Sequence, residues 1–305
     1  MIDRTCASRR SVMSSAVAGM AFAVGRRPAR AAVAEGVKTW RLYAECRWGQ
    51  VHMRAAAPAD GPGKRPIALF HTSPLSGLEY STLLAELGKD RLVLAPDNPG
   101  FGGSDRPPAP PDIPAYAATL AEAIANTGLI PNDAPYDIMG NHTGTTMCVE
   151  LATAHAAKIH RVVLSGTPLY PEDLRRERVA RYGDSTPIFD NPDYLPNNFR
   201  NSVLKDGPTP RERRLELFLE GPRAGSASWW APKAALSYPL RQKLADVRQP
   251  TLFLITKDRL ADNTRESATL APNATVVDIE NETGEPAWDL QPGLVAKKIR
   301  DFVDA

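Results

Sequence analysis

The sequence predicts an α/β fold: a mostly parallel, eight-stranded sheet with helices on both faces and an inserted helical cap. Three observations predict it. Short apolar runs alternate with helical stretches along most of the chain, a glycine-flanked turn joins one such strand to the next helix, and a charged, proline-rich segment interrupts the rhythm once. Parallel strands need crossover connections, and helical crossovers cover a sheet on both sides. The length of 305 residues suits one large domain, and an apolar share of 43% with 24% charged residues is ordinary for a globular chain.

Residues 1–34 read as a targeting segment and not as part of that fold. Ser8-Arg9-Arg10-Ser11-Val12-Met13 matches a twin-arginine signal, a small-residue apolar stretch runs from Val12 to Val24, and Ala32-Val33-Ala34 forms an A-x-A cleavage site. The stretch is too short to hold in a bilayer, so a periplasmic or secreted protein with no membrane span is expected. Six arginines and a single acid fall in this segment, so the formal charge of +2 conceals a mildly acidic body. Such a body has no general attraction for phosphate backbones, and no nucleic acid partner is expected. Cys6 leaves with the segment. A disulfide between Cys46 and Cys148 is left open but not favoured, because Cys148 falls on a helix expected to be buried.

The elements then follow in order. Thr39 to Cys46 and Gln50 to Ala56 alternate apolar and polar residues around Trp48-Gly49, the pattern of an antiparallel hairpin. Pro66 to His71 and Arg91 to Pro96 are apolar runs too short for helices, with a helical stretch from Glu79 to Leu87 between them. Pro114 to Asn126 has helical spacing, with Asp112 or Pro111 near its start. Tyr136 to Met139 reads as a strand, Thr143 to Ala157 as a helix and Arg161 to Ser165 as a strand. Thr251 to Ile255 and Thr275 to Ile279 supply two more strands, and Leu294 to Val303 a closing amphipathic helix. Residues 169–240 are helical only in patches and too long for a structureless loop, so they form the cap, leaving 35–168 and 241–305 as the core.

In sheets of this kind the chemistry lies beyond the carboxyl ends of the strands. Gly140-Asn141-His142-Thr143-Gly144 occupies such a position, between the Tyr136 strand and the Thr143 helix. The two glycines relieve crowding in a sharp strand-to-helix turn, so that the middle residue projects above the sheet. Around it stand His71-Thr72-Ser73-Pro74, the run Asp97-Asn98-Pro99-Gly100-Phe101-Gly102-Gly103-Ser104-Asp105, the strand from Arg161 to Pro168, the strand from Pro250 to Asp258, and Gln291-Pro292.

Taken in this order, from about Trp40 onward, these segments make the chain resemble the α/β-hydrolase family. The resemblance implies that the backbone N–H groups of Ser73 and Thr143 form an oxyanion hole, and that Asp258 stands at the acid position. Two positions depart from the family. His142 stands where the nucleophile belongs, and Gly284-Glu285 stands where the family has Gly-His before its last helix. Ser-His-Asp chemistry needs a hydroxyl and an imidazole to take its proton; here the elbow has no hydroxyl, and no histidine follows His160.

The candidate catalytic residues are therefore His142, Asp258 and Glu285. A helix N-terminus disfavours an imidazolium at His142 while the two carboxylates favour it, and the balance is left open. An imidazole oriented by a carboxylate is a competent base, with an ordinary pKa of about 6.5, and a neutral ring can attack an activated acyl group directly. Hydrolysis of a small ester, lactone or related acyl compound is the leading expectation. Proton abstraction in a cofactor-free lyase, isomerase or oxygenase is an alternative, as is a non-catalytic ligand-binding protein. Trp229 and Trp230 are candidate substrate-binding residues from the cap.

Other features carry less. His71 is expected to be structural, His52 a partly exposed strand residue, and His155 and His160 residues of packing or solvation. Gly100-Phe101-Gly102-Gly103 opens no helix, so it is not read as a phosphate cradle. No H-E-x-x-H or comparable spacing occurs, so neither metal nor cofactor is expected. The expected partner is a small-molecule substrate; oligomeric state is not readable.

Overall fold

A computed structural model describes residues 36–61, 63–182, 187–279 and 287–305. The expected targeting segment lies outside them.

Eight strands form one sheet: β1 (Val37–Cys46), β2 (Gly49–Pro58), β3 (Lys64–Phe70), β4 (Arg91–Pro96), β5 (Tyr136–Asn141), β6 (Ile159–Ser165), β7 (Thr251–Ile255) and β8 (Ala274–Asp278). Their spatial order is β1-β2-β4-β3-β5-β6-β7-β8. The β1–β2 hairpin is antiparallel and β2 meets β4 antiparallel, while every remaining neighbour is parallel.

Strand side chains alternate between faces, and this divides the core into two layers. Ala68, Phe70, Leu92, Leu94, Ile138, Leu164 and Phe253 enter one apolar cluster. Their immediate neighbours Ile67, Leu69, Val93, Ala95, Met139, Val163 and Leu252 enter the other. The first layer is covered by α2 (Ile113–Asn126) and α3 (Thr143–Ala154), through Tyr116, Leu120, Met147 and Leu151. The second is covered by α1 (Ser81–Leu87) and by the closing helix (Pro292–Val303), which buries Val295, Ala296, Ile299 and Val303 along one stripe.

The boundaries differ from expectation where local hydrogen bonding intervenes. The stretch expected as a helix from Glu79 starts with a 3-10 turn, Gly77–Tyr80, capped by the Ser76 hydroxyl, before α1 begins at Ser81. Asp112 caps α2 by accepting from Ala115 N at 2.9 Å. The third helix ends at Ala154, because His155 leaves the helical region and a separate 3-10 turn follows.

Between β6 and β7 the chain makes its excursion as α4 (Glu172–Arg181), α5 (Pro187–Asp190), α6 (Tyr194–Phe199), a π-helical turn (Arg200–Leu204), α7 (Arg211–Ala224), α8 (Trp230–Ser237) and α9 (Leu240–Leu244). Two arginines clamp it to the strands' loops. Arg213 donates to the carbonyls of Leu78 and Glu79 and to Asp289, each at 3.0 Å. Arg106 reaches the Ala224 carbonyl and the Ser226 hydroxyl, both at 2.9 Å. Among the described residues three helices follow β7: α10 (Ala261–Ala268) and α11 (Ala287–Leu290), neither foreseen, and the closing helix as α12.

Arg91, at the start of β4, is fully buried. Its guanidinium donates to Asp90 at 3.0 Å and to Asp304, beyond α12, at 2.7 Å. Arg300 of α12 grips the same Asp90 at 2.9 Å. His52 corrects an expectation: it is buried, not partly exposed, with Nδ1 2.8 Å from Asp97. Asp97 also accepts from the N–H groups of Gly77 and Gly103 at 2.8 Å, so it needs that inward-facing partner. Cys46 and Cys148 are separate free thiols. Among the described residues no helix is long and apolar enough to cross a membrane.

Candidate active site

β5 runs out at Asn141 and α3 begins at Thr143, leaving His142 alone to make the turn. Its φ of 46° and ψ of −111° lie where L-residues are strained, and it is the one non-glycine residue with positive φ among those described. Close packing fixes the turn. A β-carbon on Gly144 would fall 1.9 Å from the Phe70 carbonyl oxygen, and one on Gly140 would fall 2.4 Å from Gly144. His142 N donates to the Ser165 carbonyl at 3.1 Å, and its own carbonyl accepts from Thr145 N at 3.0 Å.

The ring turns toward the end of β7. Nε2 lies 2.9 Å from Oδ2 of Asp258, whose Oδ1 accepts from Leu260 N at 2.6 Å. Burial raises the Asp258 carboxyl, but the hydrogen bond and charge of His142 together with the Leu260 N–H outweigh it and hold it below the usual carboxylate range. An ionised carboxylate only accepts, so Nε2 carries the proton and Nδ1 of a neutral ring keeps its lone pair. Gly166, just after β6 with φ +63°, backs the pair.

His142 opens on a cavity of about 300 Å³, whose floor includes Ser73 and Thr143. Thr143 is the first residue of α3, where a backbone N–H has no intrahelical partner. The excursion supplies the roof. Trp229 lines it, whereas Trp230 lies off the lining and meets the Arg106 guanidinium 5.8 Å from its ring centre. Glu285 lies outside the described residues. Among those residues no cluster of three or more His, Cys, Asp or Glu is arranged to hold a metal ion.

Two residues support this floor from below. His71 is fully buried; Nε2 accepts from Asn98 N at 2.8 Å, so Nδ1 is the donor to the Thr72 carbonyl at 2.8 Å. The Glu79 carboxyl, also buried, was not singled out from sequence. It accepts from Thr72 N at 2.8 Å and from the Asn141 amide at 2.7 Å, and so grips the residues preceding both Ser73 and His142. Burial pushes it up to about 7, against the pull of those two hydrogen bonds.

Residues 67–297 match the model of the alpha/beta hydrolase family, and the chain belongs to that family. Haloalkane dehalogenase 2 of Mycobacterium tuberculosis (strain ATCC 25618 / H37Rv) is 29% identical over 151 residues, which is 47% of this chain and 50% of the relative. The same figures hold for haloalkane dehalogenase 2 of Mycobacterium bovis, so the chain spans about half the length of the curated relatives it matches. Among solved structures, a hydrolase from Pseudomonas aeruginosa PA01 superposes with a TM-score of 0.68 at 21% identity, over 87% of this chain and 98% of that one. The enol-lactonase from Burkholderia xenovorans LB400 gives 0.65 at 22%, over 87% and 100%. These structures share the fold.

Proposed function

We propose that the protein hydrolyses a small ester, lactone or related acyl compound, with His142 as the reacting residue. The observation that carries this reading is the 2.9 Å contact between His142 Nε2 and Asp258, at the floor of a cavity that Ser73 and Thr143 also line. With Nε2 committed to Asp258, Nδ1 is the basic atom. It takes a proton from water as the oxygen attacks the acyl carbon. The carbonyl oxygen gains the negative charge, which the backbone N–H groups of Ser73 and Thr143 stabilise. Asp258 stabilises the imidazolium. Collapse of the adduct then breaks the acyl–oxygen bond, and the imidazolium returns its proton to the departing alkoxide. Attack by Nδ1 itself, through an acyl-imidazole that water cleaves, uses the same groups. The similarity to a hydrolase from Pseudomonas aeruginosa PA01 and to the enol-lactonase from Burkholderia xenovorans LB400 accords with this reading. The twin-arginine segment supports action outside the cytoplasm.

The test is turnover of a panel of short esters and lactones by the purified protein, beside His142→Ala and Asp258→Asn. Loss of turnover in His142→Ala supports the reading, and mass spectrometry of quenched reactions separates an acylated His142 from direct attack by water. Undiminished hydrolysis in His142→Ala overturns it.

A further inference from the structure

We infer that the substrate carries a negatively charged group, a carboxylate in chemical class, which seats against Arg178 of the cavity roof and Arg259 of the loop after β7. This rests on the proposed hydrolysis at His142 and names which acyl compounds that site takes.

Among the described residues the cavity lining is one-sided in charge. Arg178, Arg181 and Arg259 line it together with Tyr170, Tyr182 and Tyr194, and among the described residues no carboxylate lines it. Asp258, which directly precedes Arg259, is engaged by His142. Three guanidiniums around a small cavity attract an anion, because a cleft with low-dielectric walls concentrates the field of its lining.

The arginines of α4 show which of them is held in reserve. Arg175 and Arg176 both pair with Glu172, and Arg181 pairs with Glu177. Arg178 alone of the four has no acid among the described residues. Its Nε is buried without a hydrogen-bond partner, a donor whose acceptor is missing.

Tyr170 arranges the recognition. The Arg178 guanidinium lies over its ring at 4.3 Å, and its hydroxyl accepts from Arg259 Nη1 at 3.3 Å. A guanidinium stacked on an aromatic face keeps its in-plane N–H groups free for a paired contact with two oxygens, which suits a carboxylate. Among the described residues Arg259 has no acid partner either, and it directly follows Asp258 in sequence. The same short loop thus orients His142 and presents a cation to the substrate.

The test compares 4-nitrophenyl hemisuccinate with 4-nitrophenyl butyrate, which share acyl chain length and differ in the terminal carboxylate. The ratio of their kcat/KM values is measured for the wild type, Arg178→Met, Arg259→Met and Arg176→Met. The wild type should favour the hemisuccinate, and the ratio should drop at least tenfold in Arg178→Met and in Arg259→Met but not in Arg176→Met. Arg259 is exposed, so its variant keeps the test open if Arg178→Met folds poorly. Succinate binding, followed by calorimetry in the wild type and in Arg178→Met, gives a readout independent of turnover. Succinate that binds only with Arg178 present supports the inference even if no ester is hydrolysed. Hydrolysis of both esters with a ratio that Arg178→Met and Arg259→Met leave unchanged overturns it, while the proposed hydrolysis stands.

Discussion

The ring of His142 occupies space that a side chain on Gly166 would need: a β-carbon there would lie 2.2 Å from Cδ2 and 2.7 Å from Nε2. The same atom would come within 3.0 Å of Asp258 Oδ2. The hydrogen-bonded pair therefore depends on the residue that follows β6 having no side chain.

Gly166→Ala should separate His142 from Asp258. A positive φ costs an alanine about 1 kcal/mol, and the displaced ring adds to that. Misplacement of a reacting group by about 1 Å costs on the order of 100-fold in rate. Turnover in Gly166→Ala should fall at least that far, while the melting temperature falls only modestly. Full activity in a folded variant would show that the pair is not used.

Asp258→Asn should lower kcat by roughly 100-fold or more, since the amide neither fixes the ring's proton nor stabilises its charged form. The Asp258 carboxyl is depressed in the folded protein, so its contribution to stability is present above the ordinary carboxylate range and lost as pH falls through the depressed value. Activity should decline over that same acid window. A kcat unchanged in Asp258→Asn would remove the carboxylate from the mechanism.

Glu79 works in the opposite sense. Its carboxyl is raised from 4.5 to about 7, so the folded protein holds that proton more tightly than the unfolded chain. The associated stability is complete below pH 4.5 and lost as pH rises through 7, an effect of roughly 3 kcal/mol at most. Glu79→Gln should lack this dependence, and its amide can donate to Asn141 Oδ1, which now has no partner. Urea midpoints for both proteins from pH 4 to 8 measure the difference. Parallel curves would mean that folding leaves the Glu79 carboxyl at its ordinary value.

Asp304→Ala leaves the buried Arg91 with Asp90 alone. Stripping one partner from a buried cation should cost about 3 kcal/mol, visible as a lower denaturant midpoint with unchanged slope. Arg91→Met in the same background should recover part of it, because the uncompensated charge goes with the arginine.

Sequence showed where the turn falls because Gly140 and Gly144 bracket it, and it showed the strands because apolar runs of that length have few other uses. Asp258 was legible through the family resemblance, as the acid shortly after a strand. Gly166 was not, since a glycine after a strand reads as an ordinary turn until the ring it accommodates is seen. Glu79 was hidden for a similar reason: an acid at the head of a helical stretch reads as solvated, and only the fold brings Thr72 and Asn141 to its two oxygens. Arg178 lies among three other arginines on one helix, and no pattern in sequence separates the one that lacks an acid. His52 was misjudged because its partner Asp97 lies on a different strand's loop.

Arg91 bears on how the molecule is made. A ribosome delivers the Arg91 strand long before the residue that neutralises half of its surroundings, because Asp304 follows the last helix. Until that helix emerges, the nascent sheet would have to bury a cation lacking one of its two anions. A chain cut short before Asp304 should therefore be less stable than the full one and more open to proteolysis.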